Sequence, residues 1–546
     1  MTANLASTSV YGAFTHTAAD YPAHDFLYVP TSVAQEYAIA PGAIQYRAFR
    51  DEVERHIERY AAAGYGSGHR VGLMLDNRPA FIAHWFALNA LGASVVPINA
   101  ELGAAEHAYL LNLSELCLLV AVPQHRPVAE AAIAAAGRAI ACVDAAAQTL
   151  PDAPFPAGTE PLSAATECAM LFTSGSTGQP KACLLSNDYF LEMGRWYRDI
   201  GGLCTLEAGR ERLLTPLPLT HMNAMATSLM GMVATGGCLI QLDRFHASSW
   251  WRTVRESAPT VIHYLGVMPA ILLQLEPGDE ELNPSIKFGF GAGVNPAHHA
   301  VFEQRFGFPL TEAWAMTETG AGGCIAANTE PRHVGRACFG KPDPARLEVR
   351  LVDEAGKDVP PGEPGELLVR AAGADPQKGF FSGYYRNDAA TAEGWAGGWW
   401  HTGDVVCFLD DGSLTFVDRR KNIIRRSGEN IAALEVEAVL SRHPALQALA
   451  VTPVPDEIRG EEVMACIVLD PAYLPSETLA HDVFEHALAA LAYFKTPGYV
   501  AFVETLPLTA TQKPKRNEIK TFARELLASP AAQVYDLRAL KRKPAA

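Results

Sequence analysis

LFTSGSTGQPKACLLSN, residues 171–187, sets an apolar run directly against a loop of hydroxyls and glycines that carries a single lysine. Cys168-Ala169-Met170-Leu171-Phe172 reads as a short buried strand. Thr173-Ser174-Gly175-Ser176-Thr177-Gly178 can neither bury itself nor extend a sheet comfortably, so an exposed loop is expected. Glycines let backbone N–H groups approach an anion, hydroxyls add donors and Lys181 adds a point charge, which together describe a cradle for phosphate oxygens. The spacing is not that of a Walker loop, because Gln179 and Pro180 separate the second glycine from the lysine. On composition alone a flexible Ser/Thr/Gly surface loop is the ordinary reading, and the rest of the chain has to decide.

The 546 residues are 49% hydrophobic and 19% charged, an ordinary globular composition with length for at least two domains. Lys and Arg number 44 against 60 Asp and Glu, a net charge of −16. No long basic block precedes the short Lys513-Pro514-Lys515-Arg516 and Lys541-Arg542-Lys543 clusters, so nucleic acid is not an expected partner. An anionic substrate would need local positive charge. The ten cysteines are scattered singly from Cys117 to Cys466 without a C-x-x-C pair or zinc spacing, and read as reduced core residues. The N-terminal MTANLASTSVYGAF lacks the features of a signal peptide, and no stretch approaches the ~18 uninterrupted apolar residues of a membrane span. A soluble cytoplasmic protein is expected.

Between Tyr46 and Ala63, Phe49, Val53, Ile57 and Tyr60 recur at helical spacing and Gly64 stops the helix. A buried strand at 71–75, a helix from Phe81 to Leu91 and a strand at 94–97 follow, and the same β-α-β rhythm returns from Met170 to about Leu310, with strands at 238–242 and 261–265. This predicts doubly wound parallel sheets, which bind ligands at loops beyond the strand ends. After about Pro342 short alternating strands at 347–352, 365–370 and 412–417 suggest a small β-rich lobe. A fresh α/β pattern begins after the polar stretch Asp418-Arg419-Arg420-Lys421-Asn422. The expected α/β chain therefore has a large N-terminal domain over 1–420, a small mobile α+β C-terminal domain over 421–528 and a weakly ordered tail over 529–546.

Four further stretches follow the loop in one order: WAMTETG (314–320), GWWHTGD (398–404), VDRRKNIIRRSGENI (417–431) and TATQKPKR (509–516). Together the five motifs resemble the adenylate-forming superfamily of acyl-CoA synthetases, luciferases and peptide-synthetase adenylation domains, over nearly the whole chain. The resemblance implies that a carboxylic acid attacks the α-phosphorus of ATP to give an acyl-adenylate, and that a thiol then displaces AMP. It assigns the β- and γ-phosphates to Thr173, Ser174, Gly175, Ser176, Thr177, Gly178 and Lys181. It assigns Mg²⁺ to Glu318, the α-phosphate to Thr317, and adenine to a site between Trp314, which replaces the usual tyrosine, and the Gly291-Ala292-Gly293 backbone. Asp404 would accept the ribose hydroxyls and Arg419 would add a cation. Lys513 would stabilise charge at the reacting carboxylate and α-phosphate, although Gln512 stands where glycine is usual and Lys515 is the alternative.

Ser427-Gly428-Glu429-Asn430 matches the segment of CoA ligases that the rotating smaller domain brings against the pantetheine channel, which implies CoA as acceptor with Gly428 beside it. Lys421 takes the hinge position. The run from Phe416 to Glu437 most resembles crotonobetaine/carnitine-CoA ligases. Trp196, Met222, Asn223, Ala292 and Ala315 would line the acyl pocket, with His221 at its mouth; Ala315 projects a methyl where glycine is common and disfavours a large flat acyl group. The implied activity is an AMP-forming acyl-CoA synthetase for a small or medium carboxylic acid, using ATP, Mg²⁺ and CoA. A ligase that loads a carrier-protein thiol and a non-catalytic nucleotide-binding homologue stay open, as does homodimerisation.

Overall fold

The computed structural model describes residues 7–173, 179–278, 281–282, 285–353, 355–419, 423–507, 516–529 and 532–541. The predicted helix forms as Tyr46–Ala62, and Gly64 ends the turn after it with φ +82°. Its buried stripe is Phe49, Val53, His56 and Tyr60; Ile57, expected inside, is half-buried, and His56 takes its place against the ring of His84 at 4.2 Å.

The strands Arg70–Met74, Ser94–Pro97, Leu118–Ala121, Ala141–Asp144 and Glu167–Thr173 run parallel in a seven-stranded sheet completed by Lys181–Ser186 and Gly383–Tyr384. A second sheet of eight strands has a parallel centre made of Arg212–Thr215, Cys238–Gln241, Val261–Leu265, Phe288–Ala292 and Leu310–Trp314. Val71–Met74, Val95–Pro97 and Leu118–Ala121 are buried without alternation, as strands covered on both faces must be. One hydrophobic core spans both sheets and takes in the helices Val10–Asp20, Pro79–Ala90, Asn187–Asp199 and Leu229–Thr235. The Pro79–Ala90 helix is buried all round from Phe81 to Asn89 and apolar there except for His84 and Asn89, because it has no solvent face.

The β-rich lobe is a five-stranded sheet of Cys338–Gly340, Leu347–Val352, Gly365–Ala371, Trp400–Phe408 and Leu414–Arg419, each paired antiparallel to its neighbour. The last of these begins two residues later than the sequence suggests, because Gly412 sits at φ +84° in the preceding turn. Sheet membership changes between Arg419 and Ile423: Ile423–Arg426 belongs to a separate sheet with its own core, flanked by the helices Ala433–Leu440 and Glu477–Leu488. The expected boundary at 420/421 lies outside the described residues. The segment 532–541, read from sequence as a weakly ordered tail, instead adds the edge strand Val534–Asp536 and buries Lys541, whose Nζ pairs with Glu462 Oε1 at 2.5 Å. That buried pair, with Arg426 on the other Glu462 oxygen at 2.7 Å, fastens it.

Candidate active site

Glu167–Thr173 and Lys181–Ser186 pair antiparallel with Thr173 opposite Lys181, the two described residues that flank the Gly/Ser segment most closely on the strands. Ser174, Gly175, Ser176, Thr177 and Gly178 lie outside the described residues. At one end of the loop Thr173 Oγ1 donates to Glu318 Oε1 at 3.4 Å. At the other, Lys181 Nζ sits 4.4 Å from the centre of the Tyr384 ring, whose hydroxyl donates to the same Glu318 oxygen at 2.7 Å. Burial, reinforced by the Glu318 charge, pushes the Tyr384 phenol well above its ordinary range, so it stays a donor. Pro180 O accepts from the Tyr109 hydroxyl at 3.0 Å, which ties the loop exit to the helix Ala104–Ser114.

Glu318 is buried at 6% exposure and its carbonyl accepts Phe381 N at 3.0 Å. Thr317 precedes it, half-buried, in a turn closed by Met316 N to Thr319 Oγ1 at 3.0 Å. Among the described residues no group of three or more His, Cys, Asp or Glu could hold a metal. A single carboxylate beside a threonine hydroxyl is an all-oxygen donor set, which fits Mg²⁺ with phosphates and waters completing its shell and does not fit zinc.

Trp314 ends the strand Leu310–Trp314, and its indole N–H donates to Asp404 Oδ2 at 2.8 Å. The sequence suggested only a flat face for adenine; the structure adds that Trp314 orients the carboxylate expected to receive ribose. Asp404 sits on the strand Trp400–Phe408 opposite Arg419, whose side chain lies outside the described residues. Gly291 and Ala292 end the strand Phe288–Ala292, and Gly293 follows at φ +80°. Glu312 fixes this turn by accepting Gly293 N at 2.9 Å and Val294 N at 2.8 Å. Burial raises the Glu312 carboxyl to about 7 against the lowering effect of those two N–H groups.

Trp196 and Met222 share the main core with Phe290, and the Trp196 and Phe290 rings meet edge-on at 6.2 Å. Asn223 opens a π-helix, Asn223–Ser228, a form that frequently marks functional sites. Its Oδ1 lies 3.2 Å from Nδ1 of the buried His263. The same nitrogen is 2.7 Å from Ser228 Oγ, and Nε2 is 2.7 Å from the Tyr197 hydroxyl. Burial lowers His263 to about 3, so a neutral ring bridges these groups. Ala315 is exposed, one residue past the strand that ends in Trp314.

His221 Nε2 lies 3.7 Å from Glu429 Oε2, so the residue placed at the pocket mouth also meets the C-terminal domain. Loss of water where the two domains meet opposes a charge on His221, but the neighbouring Glu429 carboxylate outweighs it and raises His221, and His221 in turn holds Glu429 below its ordinary range. Ser427 and Gly428 form the turn between Ile423–Arg426 and Glu429–Ala432, with φ +51° and +89°. The positive φ favours glycine at 428, and a Cβ there would stand 2.1 Å from Leu265 Cδ1, so a side chain would have to displace the leucine. Lys421 and Lys513 lie outside the described residues.

Sequence reasoning did not single out Tyr384, Glu312, His263 or the pairing role of Glu429. The glycine- and aromatic-rich GFFSGYY at 379–385 was an available signal for Tyr384. Glu312 and His263 carry none, since a lone buried carboxylate or histidine reads as core, and Glu429 stands in a quoted motif that does not announce His221 as its partner.

Residues 14–385 match the AMP-binding enzyme family, and residues 435–513 match the AMP-binding enzyme C-terminal domain. A crotonobetaine/carnitine–CoA ligase of Shigella sonnei is 30% identical over 500 residues, which span 87% of this chain and 92% of that protein. A double mutant of o-succinylbenzoate CoA synthetase (MenE) from Bacillus subtilis, bound to the product analogue OSB-NCoA, has a TM-score of 0.78 at 23% identity, covering 93% of this chain and 98% of that one. MenE with its acyl-adenylate intermediate OSB-AMP gives 0.63 at 22% identity, covering 93% and 97%. With these matches and the ordered motifs around one site, the chain belongs to the AMP-binding enzyme family.

Proposed function

We propose that the protein is an AMP-forming acid–CoA ligase acting on a small or medium carboxylic acid. The observation that carries this is the convergence of Thr173, Lys181 and Tyr384 around Glu318 where the hairpin strands end, with the Trp314–Asp404 pair bridging two sheets. In the first half-reaction an oxygen of the acid attacks the α-phosphorus of ATP and the bond to pyrophosphate breaks. The loop and Lys181 would hold the leaving group, Thr317 the α-phosphate and Asp404 the ribose, so the reacting oxygen meets phosphorus in line. Mg²⁺, when held by Glu318, would supply charge neutralisation on the phosphates. Lys513 would stabilise the charge that develops between acid and α-phosphate.

In the second half-reaction the CoA sulfur attacks the acyl carbon and AMP leaves with the electron pair. The turn at Gly428 against Leu265 and the His221–Glu429 pair would be the groups that serve this step. The higher TM-score to the CoA-analogue complex of MenE than to its adenylate complex supports reading this arrangement as the thiol-accepting one. Asn223 and the neutral His263 give the acyl pocket a polar side, and the likeness to a crotonobetaine/carnitine–CoA ligase puts betaine acids first among candidates. No helix among the described residues is long and apolar enough to cross a membrane, and we place the enzyme in the cytoplasm.

The test is ATP-, acid- and CoA-dependent AMP release over short, branched, aromatic and betaine acids. Thioester formation with one of them is expected. Pyrophosphate exchange without CoA consumption would move the acceptor to a carrier thiol, and ATP binding without exchange for any acid would leave a nucleotide-binding homologue.

A further inference from the structure

The N-terminal helix Ala104–Ser114 meets the turn that precedes the strand Tyr499–Phe502 of the C-terminal domain. Glu106 Oε2 accepts Gly103 N at 2.7 Å, capping its own helix, and also accepts Ala492 N of the other domain at 3.2 Å. Its Oε1 pairs with Lys495 Nζ, which pairs in turn with Glu435 Oε1 at 2.8 Å. All three side chains are about nine-tenths buried, at 10% exposure for Lys495, 8% for Glu106 and 11% for Glu435. Leu102 lodges against the C-terminal core, and Gly103 comes so near that a Cβ there would stand 2.7 Å from Ala490 O. Backbone, apolar and ionic contacts thus coincide at one place.

Two carboxylates share one ammonium. Burial raises Glu435 more than Lys495 lowers it, and the neighbouring Glu106 adds to the rise, to about 7. Burial also opposes charge on Glu106, but Lys495 and the Gly103 N–H hold it below the ordinary carboxylate range. When the domains part, Lys495 keeps Glu435, which travels with it, and Glu106 keeps the first turn of its helix, where an anion is favoured. Neither side is left with an unpaired buried charge, so the contact opens and closes reversibly. Closed, it holds the domain whose neighbouring turn sets Gly428 against Leu265 and Glu429 against His221, with the Lys495 charge near enough to act on Glu429.

We propose that Glu106, Lys495 and Glu435 are positioning residues for the CoA step: they latch the C-terminal domain in the arrangement that delivers the 427–429 turn to the thiol side. This rests on the ligase reading above.

Hydrogen exchange of the ligand-free full-length chain reads the latch without any substrate. Glu106→Gln and Lys495→Met should each raise exchange about ten-fold at the second inter-domain contact, residues 219–223 and 427–431, with the strands 70–74 and 463–467 unchanged. A change confined to 103–108 would make Glu106 a helix cap only and overturn the latch. A kinetic arm uses the acid that the AMP-release panel returns. Pyrophosphate exchange should stay within about two-fold of the parent and CoA-dependent thioester formation should fall about ten-fold, with the double variant no worse than either single one. Parallel loss in both half-reactions, or additive losses, would overturn it. If the panel returns no acid, the ligase reading fails by itself and hydrogen exchange still decides the latch.

Discussion

The proposed nucleotide side of the site and its proposed thiol side are built in opposite ways. On the nucleotide side, Thr173, Glu318, Tyr384, Trp314 and Asp404 come from the two large sheets, the turn after one of their strands and the β-rich lobe, and hydrogen bonds join Thr173 and Tyr384 to Glu318 and Trp314 to Asp404. On the thiol side, one glycine turn and a few charged pairs join two bodies with separate cores. A site in fixed strands tolerates movement elsewhere, whereas contacts between bodies respond to charge, salt and pH. Nucleotide affinity should therefore be insensitive to domain position, and the CoA step should depend on it.

The sharpest way to break this contrast is Lys513→Ala. Loss of a preorganised cation costs ~3–4 kcal/mol of barrier, so pyrophosphate exchange should fall about 10²–10³-fold while thioester formation from supplied acyl-adenylate stays near the parent rate. Equal loss in both half-reactions would erase the distinction, and a larger effect at Lys515 would move the role there. Next is Asp404→Ala, which removes the carboxylate expected to receive ribose and orphans the Trp314 N–H. AMP affinity by calorimetry should weaken by ~1.5–3 kcal/mol. An unchanged affinity would make Asp404 a purely structural partner of Trp314. Trp314→Phe keeps a ring and loses only the N–H, so a smaller loss of ~1 kcal/mol in the same measurement is expected; a loss as large as that of Asp404→Ala would mean that adenine depends on the full indole face.

The smallest expected effect is a pH dependence on the thiol side. His221 is raised in the docked domain, so its pairing with Glu429 is fully present below the ordinary histidine range and is lost as pH rises through the raised value. Glu429 is lowered, so its share is present above the ordinary carboxylate range and is lost only as pH falls through the lowered value. The pair thus favours docking in the window between the two. The His221 side chain keeps 45% exposure and the gap is 3.7 Å, so screening limits the gain to a change of about two- to three-fold in thioester rate. His221→Gln should flatten this part of the profile without altering AMP affinity; a profile that keeps its shape would assign the titration elsewhere.

What the sequence disclosed follows from where each partner lies. Thr173, Lys181, Glu318 and Asp404 stand in contiguous motifs next to strands whose apolar runs are legible, and the strands at 261–265 and 347–352 form where periodicity places them. Tyr384 reaches the site through a two-residue strand that pairs with Lys181–Ser186 across the fold, and no local pattern announces that partner. Glu106 and Lys495 are 389 positions apart, each unremarkable in its own segment. His56 displaced Ile57 from the core because a neutral imidazole can bury against His84, and burial lowers it to about 2. The π-helix at Asn223–Ser228 was out of reach for the same kind of reason: one widened turn changes no apolar spacing that a window of sequence can register.

The hairpin loop has a consequence for how the chain acquires its ligand. Its mouth is completed by residues from 173 to 384, and Asp404 extends the span further along the chain. Such closures order long intervening segments before any contact rewards them, so the nucleotide site belongs to the last events of refolding. ATP cannot hasten the early collapse of a chain that does not yet have the site, but it binds the finished domain and withdraws it from the unfolded pool by mass action. Recovery of nucleotide binding during refolding is accordingly a measure of completed long-range assembly, whereas helix signal returns earlier and reports only local order.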